Sequence, residues 1–243
     1  MARVIAVSSP KGGVGKTACA YLTAVALAEC GLRVAAVDAD HDVGTLPLLV
    51  PAEARVSGGA RQALTARRVT GELLAHDPSG VQVLAGPIGP ADDPARSAAN
   101  LGALVDMLDH DAVVLDLGTG LSHPVIRFAL DRADHVLMVT GPELIGASRV
   151  EAALRRLVEQ RRLDTDELTL VLNRVLAPEL AAAQLERFRR TGVRHDVAVP
   201  DDEHLAELLD AGAFAIGALA PATQMAIREL AEASAEAPTG QPS

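Results

Sequence analysis

The stretch Val4-Ile5-Ala6-Val7-Ser8-Ser9-Pro10-Lys11-Gly12-Gly13-Val14-Gly15-Lys16-Thr17 decides the fold. A short apolar run leads directly into a glycine-rich segment, and an alanine- and leucine-rich stretch follows from residue 16. Strand, glycine loop and helix in that order are the setting of a phosphate-binding loop. The glycines let the backbone wrap a polyphosphate with its N–H groups inward, and the helix N-terminus adds partial positive charge. Lys16 is then placed to reach the terminal phosphates, and the Thr17 hydroxyl to ligate Mg2+. The bland alternative is a glycine turn that happens to contain lysine. It would have to explain the strand, the spacing, the Lys-Thr pair and the helix together. The same loop holds the chain's only two lysines, Lys11 and Lys16; the other twenty of its 22 basic residues are arginines.

Working outward, short apolar runs recur at Val4–Ser8, Val34–Asp38, Val81–Ala85, Ala112–Leu117, His135–Thr140, Leu168–Asn173 and Asp196–Val199. Most are continuous rather than alternating, as strands buried on both faces require. Helices are expected over 16–30, 95–109, 122–132, 144–161, 178–190, 202–211 and 221–235, with Gly31 stopping the first. Strand–helix alternation implies right-handed crossovers. The fold class is α/β: a single P-loop NTPase domain over residues 1–235, with a mostly parallel twisted sheet flanked by helices on both faces. Residues 41–80 carry the least regular pattern, and 236–243 read as a flexible C-terminal tail.

Composition narrows the function. Of 243 residues, 49% are hydrophobic but only 2% aromatic, so the core is aliphatic. Recognition of single strands by base stacking lacks its platforms. No apolar run reaches the length of a membrane span, and the chain opens on a strand-like run without a signal peptide pattern. Cys19 and Cys30 fall in one helix, cannot pair, and read as small core residues in a reducing cytoplasm. The net charge of −10 is uneven. Residues 1–148 carry 11 basic against 16 acidic groups, 149–195 carry 10 against 7, and 196–243 carry one against nine. Whole-molecule attraction to nucleic acid or anionic lipid is disfavoured, while a local basic face in 149–195 stays open.

Two further strand ends carry carboxylates. Val37-Asp38-Ala39-Asp40 ends the second run, and alternation puts Asp38 and Asp40 on one side, at the edge where parallel sheets open onto ligands. One of the two serving as a cap or turn former is the plain alternative. Ala112-Val113-Val114-Leu115-Asp116 is a buried strand ending in a carboxylate, which fits Mg2+ held through water.

The segment Lys11-Gly12-Gly13-Val14-Gly15-Lys16-Thr17, with its additional leading lysine, resembles the deviant Walker A motif of the ParA/MinD ATPases, and the resemblance extends from about residue 2 to about residue 235. It implies an ATP-binding loop of Lys11, Gly12, Gly13, Val14, Gly15, Lys16, Thr17 and Ala18. Ala18 departs from the second hydroxyl residue common there. Lys11 would reach the partner's nucleotide across an ATP-dependent homodimer. The resemblance assigns Asp40 to switch I, orienting the attacking water, and Thr17, Asp40 and Asp116 to the Mg2+ site. Gly44 matches that switch, whereas His41 and Thr45 replace its usual Pro and Asn. Leu117-Gly118-Thr119-Gly120 is similar to switch II without its usual prolines. Asn173 would read the adenine edge, with Pro200 and Asp201 in a second base-contacting loop. Asp202 is better read as a helix cap. Without the resemblance, Asn173 and Pro200-Asp201 would be plain turns.

What the chain lacks sorts the relatives. Iron–sulfur members need cysteines placed otherwise than Cys19 and Cys30. Tyrosine autokinases need a tyrosine cluster, and Tyr21 is the only tyrosine. The septum-site members end in a basic amphipathic membrane helix, whereas residues 221–243 carry Arg228 against Glu229, Glu232 and Glu236. The resemblance then implies a small ParA-like or CpaE-like positioning ATPase of the bacterial cytoplasm. It would hydrolyse ATP slowly with an activating protein partner and partition DNA or position a polar or pilus machine. Arg155, Arg156, Arg161, Arg162, Arg187, Arg189, Arg190 and Arg194 offer a surface for non-specific DNA, with nucleoid association as the consequence. The alternative is a solvated face balanced by Glu151, Glu159 and Glu186. Two other functions stay open: a metabolic ATP-dependent ligase of the same fold, and a nucleotide-binding adaptor with little turnover.

Overall fold

The computed structural model describes residues 2–159, 165–211 and 215–236. Its strands are β1 (Arg3–Ser9), β2 (Val34–Ala39), β3 (Ala75–His76), β4 (Gln82–Leu84), β5 (Ala112–Thr119), β6 (His135–Thr140), β7 (Leu168–Val175) and β8 (His195–Pro200). They form one sheet in the order β3-β4-β2-β5-β1-β6-β7-β8. Every pairing is parallel except that of the two-residue β3 with β4. The helices are α1 (Lys16–Glu29), α2 (Gly59–Ala66), α3 (Pro94–Met107), α4 (Pro124–Arg132), α5 (Leu144–Glu159), α6 (Pro178–Arg189), α7 (Glu203–Ala211) and α8 (Pro221–Ala235).

Strand alternation divides the core into two layers. Val4 and Ala6 of β1 face a cluster with Leu101 and Leu104 of α3, Ile126 of α4, Leu154 of α5 and Phe188 of α6. Ile5 and Val7 face the other cluster, with Leu22 and Leu27 of α1 and Ile227 and Leu230 of α8. The sheet is thereby buried on both sides, which is why its sequence runs are continuous rather than alternating. Helix α1 is buried over nearly its whole length, between the sheet and α8. Its alanines permit that close approach on both sides. It stops as expected: Gly31, at φ +86°, donates its N–H to the Ala28 carbonyl at 2.9 Å.

The structure departs from the sequence reading in four places. The irregular 41–80 region contains α2 and β3, both too short to give a periodic signal. Tyr21 on α1 pins the β3–β4 connection, donating its hydroxyl to Asp77 Oδ2 at 2.7 Å, while Asp77 Oδ1 accepts the Ser79 N–H at 2.8 Å. Cys19 is buried but Cys30 is exposed, because it caps α1 just outside the core. Strands β5 and β7 run past their expected ends to Thr119 and Val175, so Asp116 and Asn173 lie within strands rather than at their tips. The 236–243 tail beyond Glu236, the expected end of the helix over 160–161, and Arg161 and Arg162 fall outside the described residues.

Candidate functional site

Parallel register brings the acidic positions together. Asp38 of β2 lies directly opposite Asp116 of β5, and Val7 of β1 lies opposite Asp116 on the other side. The β1 end continues into the glycine loop, so the loop and the two carboxylates share one edge of the sheet.

The loop's shape rests on two glycines. Gly13 and Gly15 have φ of +75° and +88°, a region that side chains rarely adopt. Gly15 also caps α1 with no side-chain hydrogen bond, leaving the first-turn amides free for an anion. A Cβ at Gly15 would lie 2.2 Å from Asn173 Nδ2. That amide is buried and donates to the Val14 carbonyl at 2.9 Å. Asn173 therefore braces the loop from β7, a contact the base-reading expectation did not include. Ala18 follows on the first turn of α1.

The two lysines occupy different environments. Lys16 is buried, with Nζ donating to Thr119 Oγ1 at 3.3 Å. Lys11 points outward and pairs with Glu143 Oε2 at 3.3 Å. Its own N–H donates to Ser9 Oγ at 3.1 Å, and Gly12 faces the Thr119 hydroxyl. The backbone N–H of Glu143 and the neighbouring Lys11 hold the Glu143 carboxyl below its usual range. Sequence reasoning missed Glu143. Its only signal was a position just past the C-terminal end of β6, on the ligand edge.

Burial pushes Asp116 up to about 7, opposed by a hydrogen bond from Thr17 and reinforced by the Asp38 charge. Asp38 is pushed up to about 6, again chiefly by burial, and accepts the Asp40 N–H at 3.3 Å. Asp40 lies beyond the strand end, so the turn rather than alternation sets its direction, and its Oδ1 accepts the Asp42 N–H at 2.9 Å. Asp116 Oδ1 is buried without a hydrogen-bond partner. An orphaned carboxylate oxygen beside the Thr17 hydroxyl is a donor set of hard oxygens, which fits Mg2+ completed by phosphate and water. Among the described residues, no cluster of three or more His, Cys, Asp or Glu forms a metal cage of its own.

The switch segments touch each other. Thr45, where the resemblance expects Asn, donates its hydroxyl to Thr17 Oγ1 at 3.4 Å. His41 stacks on His123 with ring centroids 3.7 Å apart and planes 13° from parallel. Burial, and then His41, push the His123 imidazole below its usual value. A Cβ at Gly118 would meet His41 Nδ1 at 2.5 Å and Asp40 Oδ1 at 2.7 Å, and one at Gly44 would fall 2.0 Å from Asp38 Oδ2. At Gly44 the Asp38 carboxylate occupies the space a side chain would take, and at Gly118 the His41 ring does so first, with Asp40 beside it.

At the far side, Pro200 ends β8 opposite Val175, and Asp201 donates its N–H to the Val175 carbonyl at 3.0 Å. Arg174, at φ +61°, approaches Asp201 at 3.6 Å. Asp202 accepts the His204 and Ala220 N–H groups, so it caps α7 as the sequence suggested. The expected basic surface is largely paired. Arg155 and Arg187 share Glu151, Arg189 binds Asp196, Arg190 approaches Glu186, and Arg194 binds Asp166.

A glycine loop opening a helix beside acidic strand positions defines the P-loop class of nucleotide-binding domains. Residues 5–214 match the family model of the CobQ/CobB/MinD/ParA nucleotide binding domain, and the chain belongs to that family. It is 30% identical over 213 residues to an uncharacterized ATP-binding protein of Methanocaldococcus jannaschii, covering 84% of this chain and 76% of that one. It is 29% identical over 203 residues to a putative septum site-determining protein MinD of Guillardia theta, covering 82% and 73%. The septum site-determining protein MinD of Pyrococcus horikoshii, solved with Mg-ADP, superposes with a TM-score of 0.73 at 22% identity, covering 96% of this chain and 95% of that one. Among the described residues no helix is long and apolar enough to cross a membrane.

Proposed function

We propose that this chain is an ATP-driven molecular switch: two copies bind ATP face to face, hydrolyse it slowly, and separate, so that a cargo is positioned or partitioned in the cell. The observation that carries this is the division between the lysines. Lys16 is buried at the base of its own loop, whereas Lys11 projects from the same loop to an exposed carboxylate. An outward ammonium beside a phosphate loop suits a second copy's phosphates better than its own. The MinD name of the Guillardia relative supports a positioning role, and its Methanocaldococcus relative supports ATP as the nucleotide.

In this reading the first-turn amides of α1 and Lys16 hold the β- and γ-phosphates, and Asn173 keeps the loop in its bound shape. Thr17 and Asp116 would hold Mg2+, which when bound neutralises charge on the phosphate oxygens. Asp40, half-exposed beside Gly118, orients the attacking water. The closeness of Arg174 and Asp201 leaves Pro200 and Asp201 as one wall of the base pocket. An activating protein partner sets the rate.

Gel filtration with and without ATP tests the proposal. A dimer should form with ATP in an Asp40→Ala variant and be lost on Lys11→Ala or Lys16→Ala. A protein that stays monomeric at saturating ATP with Asp40→Ala overturns it.

A further inference from the structure

Most of the described arginines between 149 and 195 are matched by a carboxylate, and two that are not lie together. Arg149 and Arg156 form no ion pair among the described residues. They sit seven residues apart on α5, hence on one helix face. Arg127 of α4 joins them around a cavity of about 540 Å3. The wall between the arginines is apolar, with Ala152, Ala153 and Leu157 on α5 and Leu121 opposite. Among the described residues no carboxylate lines it. In a chain of net charge −10, three guanidinium groups converging on one concavity without an acid is an unbalanced arrangement.

The cavity is also joined to the nucleotide site. Pro10, next to Lys11, and Gly120, next to Thr119, complete its rim. Gly120 donates its N–H to the Ser9 carbonyl at 3.2 Å, and Thr119 accepts from Lys16. Anything seated against this rim presses on both the glycine loop and the strand end that contacts Lys16.

We propose that this cavity docks an acidic segment of a protein partner, with one or two carboxylates between the arginines and an apolar side chain against Ala153 and Leu157. The proposal rests on the switch reading above and names the chemistry of the activating partner. A duplex is a poorer match. Its backbone needs an extended basic track, and the arginines that would continue this one, Arg155 and Arg187, already share Glu151. A lone small anion is also a poorer match, because all three arginines are exposed and a single exposed pair contributes little. Several carboxylates on one peptide add up where one does not.

The test is fluorescence anisotropy on the full chain with a labelled peptide of alternating Glu and Leu, its Gln-Leu counterpart, and a labelled random-sequence duplex, each with ADP, ATP and no nucleotide. The Glu-Leu peptide should bind, the Gln-Leu peptide should not, and binding should fall at least tenfold in Arg149→Glu/Arg156→Glu. Arg149→Gln/Arg156→Gln, which removes the charge but keeps a polar side chain, should lose most of the binding with an unchanged thermal melt and unchanged ATP binding. Undiminished binding by either double variant overturns the proposal, as does a duplex that binds more tightly and displaces the Glu-Leu peptide. Self-association of the nucleotide-free chain that the Gln variant abolishes would also overturn it, assigning the cavity to a second copy. Peptide binding that persists while ATP-dependent dimerisation fails would sink the switch reading and leave the docking site standing.

Discussion

Replacing Asp116 by Asn is expected to make the nucleotide-free protein more stable at pH 8 while abolishing its stabilisation by Mg-ATP. Asp116 is buried on β5, faces Asp38 on the neighbouring strand, and is pushed from an ordinary 3.8 up to about 7. Its stabilising effect is therefore complete below pH 3.8 and is lost as pH rises through 7. At pH 8 the ionised group costs about 4 kcal/mol relative to a carboxylate in water, from about three pK units at 1.36 kcal/mol each. Between pH 6 and 8 alone the loss is about 1 kcal/mol. The difference between variant and parent isolates Asp116. Burial lowers His135 to about 4, and His110 and His123 are also held below their usual value. All three therefore bind more protons unfolded than folded between about pH 6 and 7.5 and gain stability as pH rises, equally in both proteins. Asp38, raised to about 6, has done most of its titrating by pH 7. Asn keeps the shape and can still accept from Thr17, and its amide needs a partner of its own, so about 2–4 kcal/mol should be recovered. For a chain of this size that is on the order of 5–10 °C in Tm. Thermal melts at pH 6, 7 and 8, with and without Mg-ATP, read both effects. A variant less stable than the parent at pH 8, or an advantage of the variant over the parent that does not grow from pH 6 to 8, would refute the reasoning.

Gly15→Ala should lose ATP binding by at least tenfold, since φ is +88° and the new Cβ would fall 2.2 Å from Asn173 Nδ2; isothermal titration measures it, and near-parental affinity would mean the loop is not the site. Tyr21→Phe leaves the buried Asp77 without its 2.7 Å donor, so it should cost about 1–3 kcal/mol in urea unfolding, with ATP affinity unchanged because β3 and β4 lie on the far side of β2 from the loop.

The fold was legible because its signals are local. The long parallel strands are continuous aliphatic runs, and the helices other than the eight-residue α2 are long enough to show their period. What stayed hidden depends on which strands become neighbours. Nothing in Val37-Asp38 or Leu115-Asp116 indicates that these aspartates face each other, because β2 pairs with β5 across 78 residues of chain. That pairing, with burial, keeps both carboxyls partly protonated near neutrality. That Lys16 and Thr17 open a helix behind the glycines was legible from spacing alone. The brace from Asn173 to Val14, the His41–His123 stack and the Glu143 partner of Lys11 were not, since each joins segments distant in sequence. The arginines misled in the opposite direction. Their clustering along the chain suggested one basic face, whereas Glu151, Glu186 and Asp196 neutralise most of it in space.

The environments of Lys11 and Lys16 explain why this arginine-using chain keeps lysine at these two positions. Lys16 is buried beside Thr119, where a compact ammonium can meet several phosphate oxygens at once. Lys11 has a different requirement. In the proposed dimer it must leave Glu143 and reach a nucleotide held by another copy. The pair it leaves is half-exposed at 3.3 Å, a kind of contact worth under about 1 kcal/mol. Breaking it costs little beside a charge-assisted contact to phosphate. An arginine at position 11 could grip the same carboxylate through two parallel hydrogen bonds, which would deepen the resting state that the switch has to leave. The exposed monodentate pair keeps Lys11 oriented without holding it, so the balance between resting and ATP-bound states is set at the partner's phosphates rather than at Glu143.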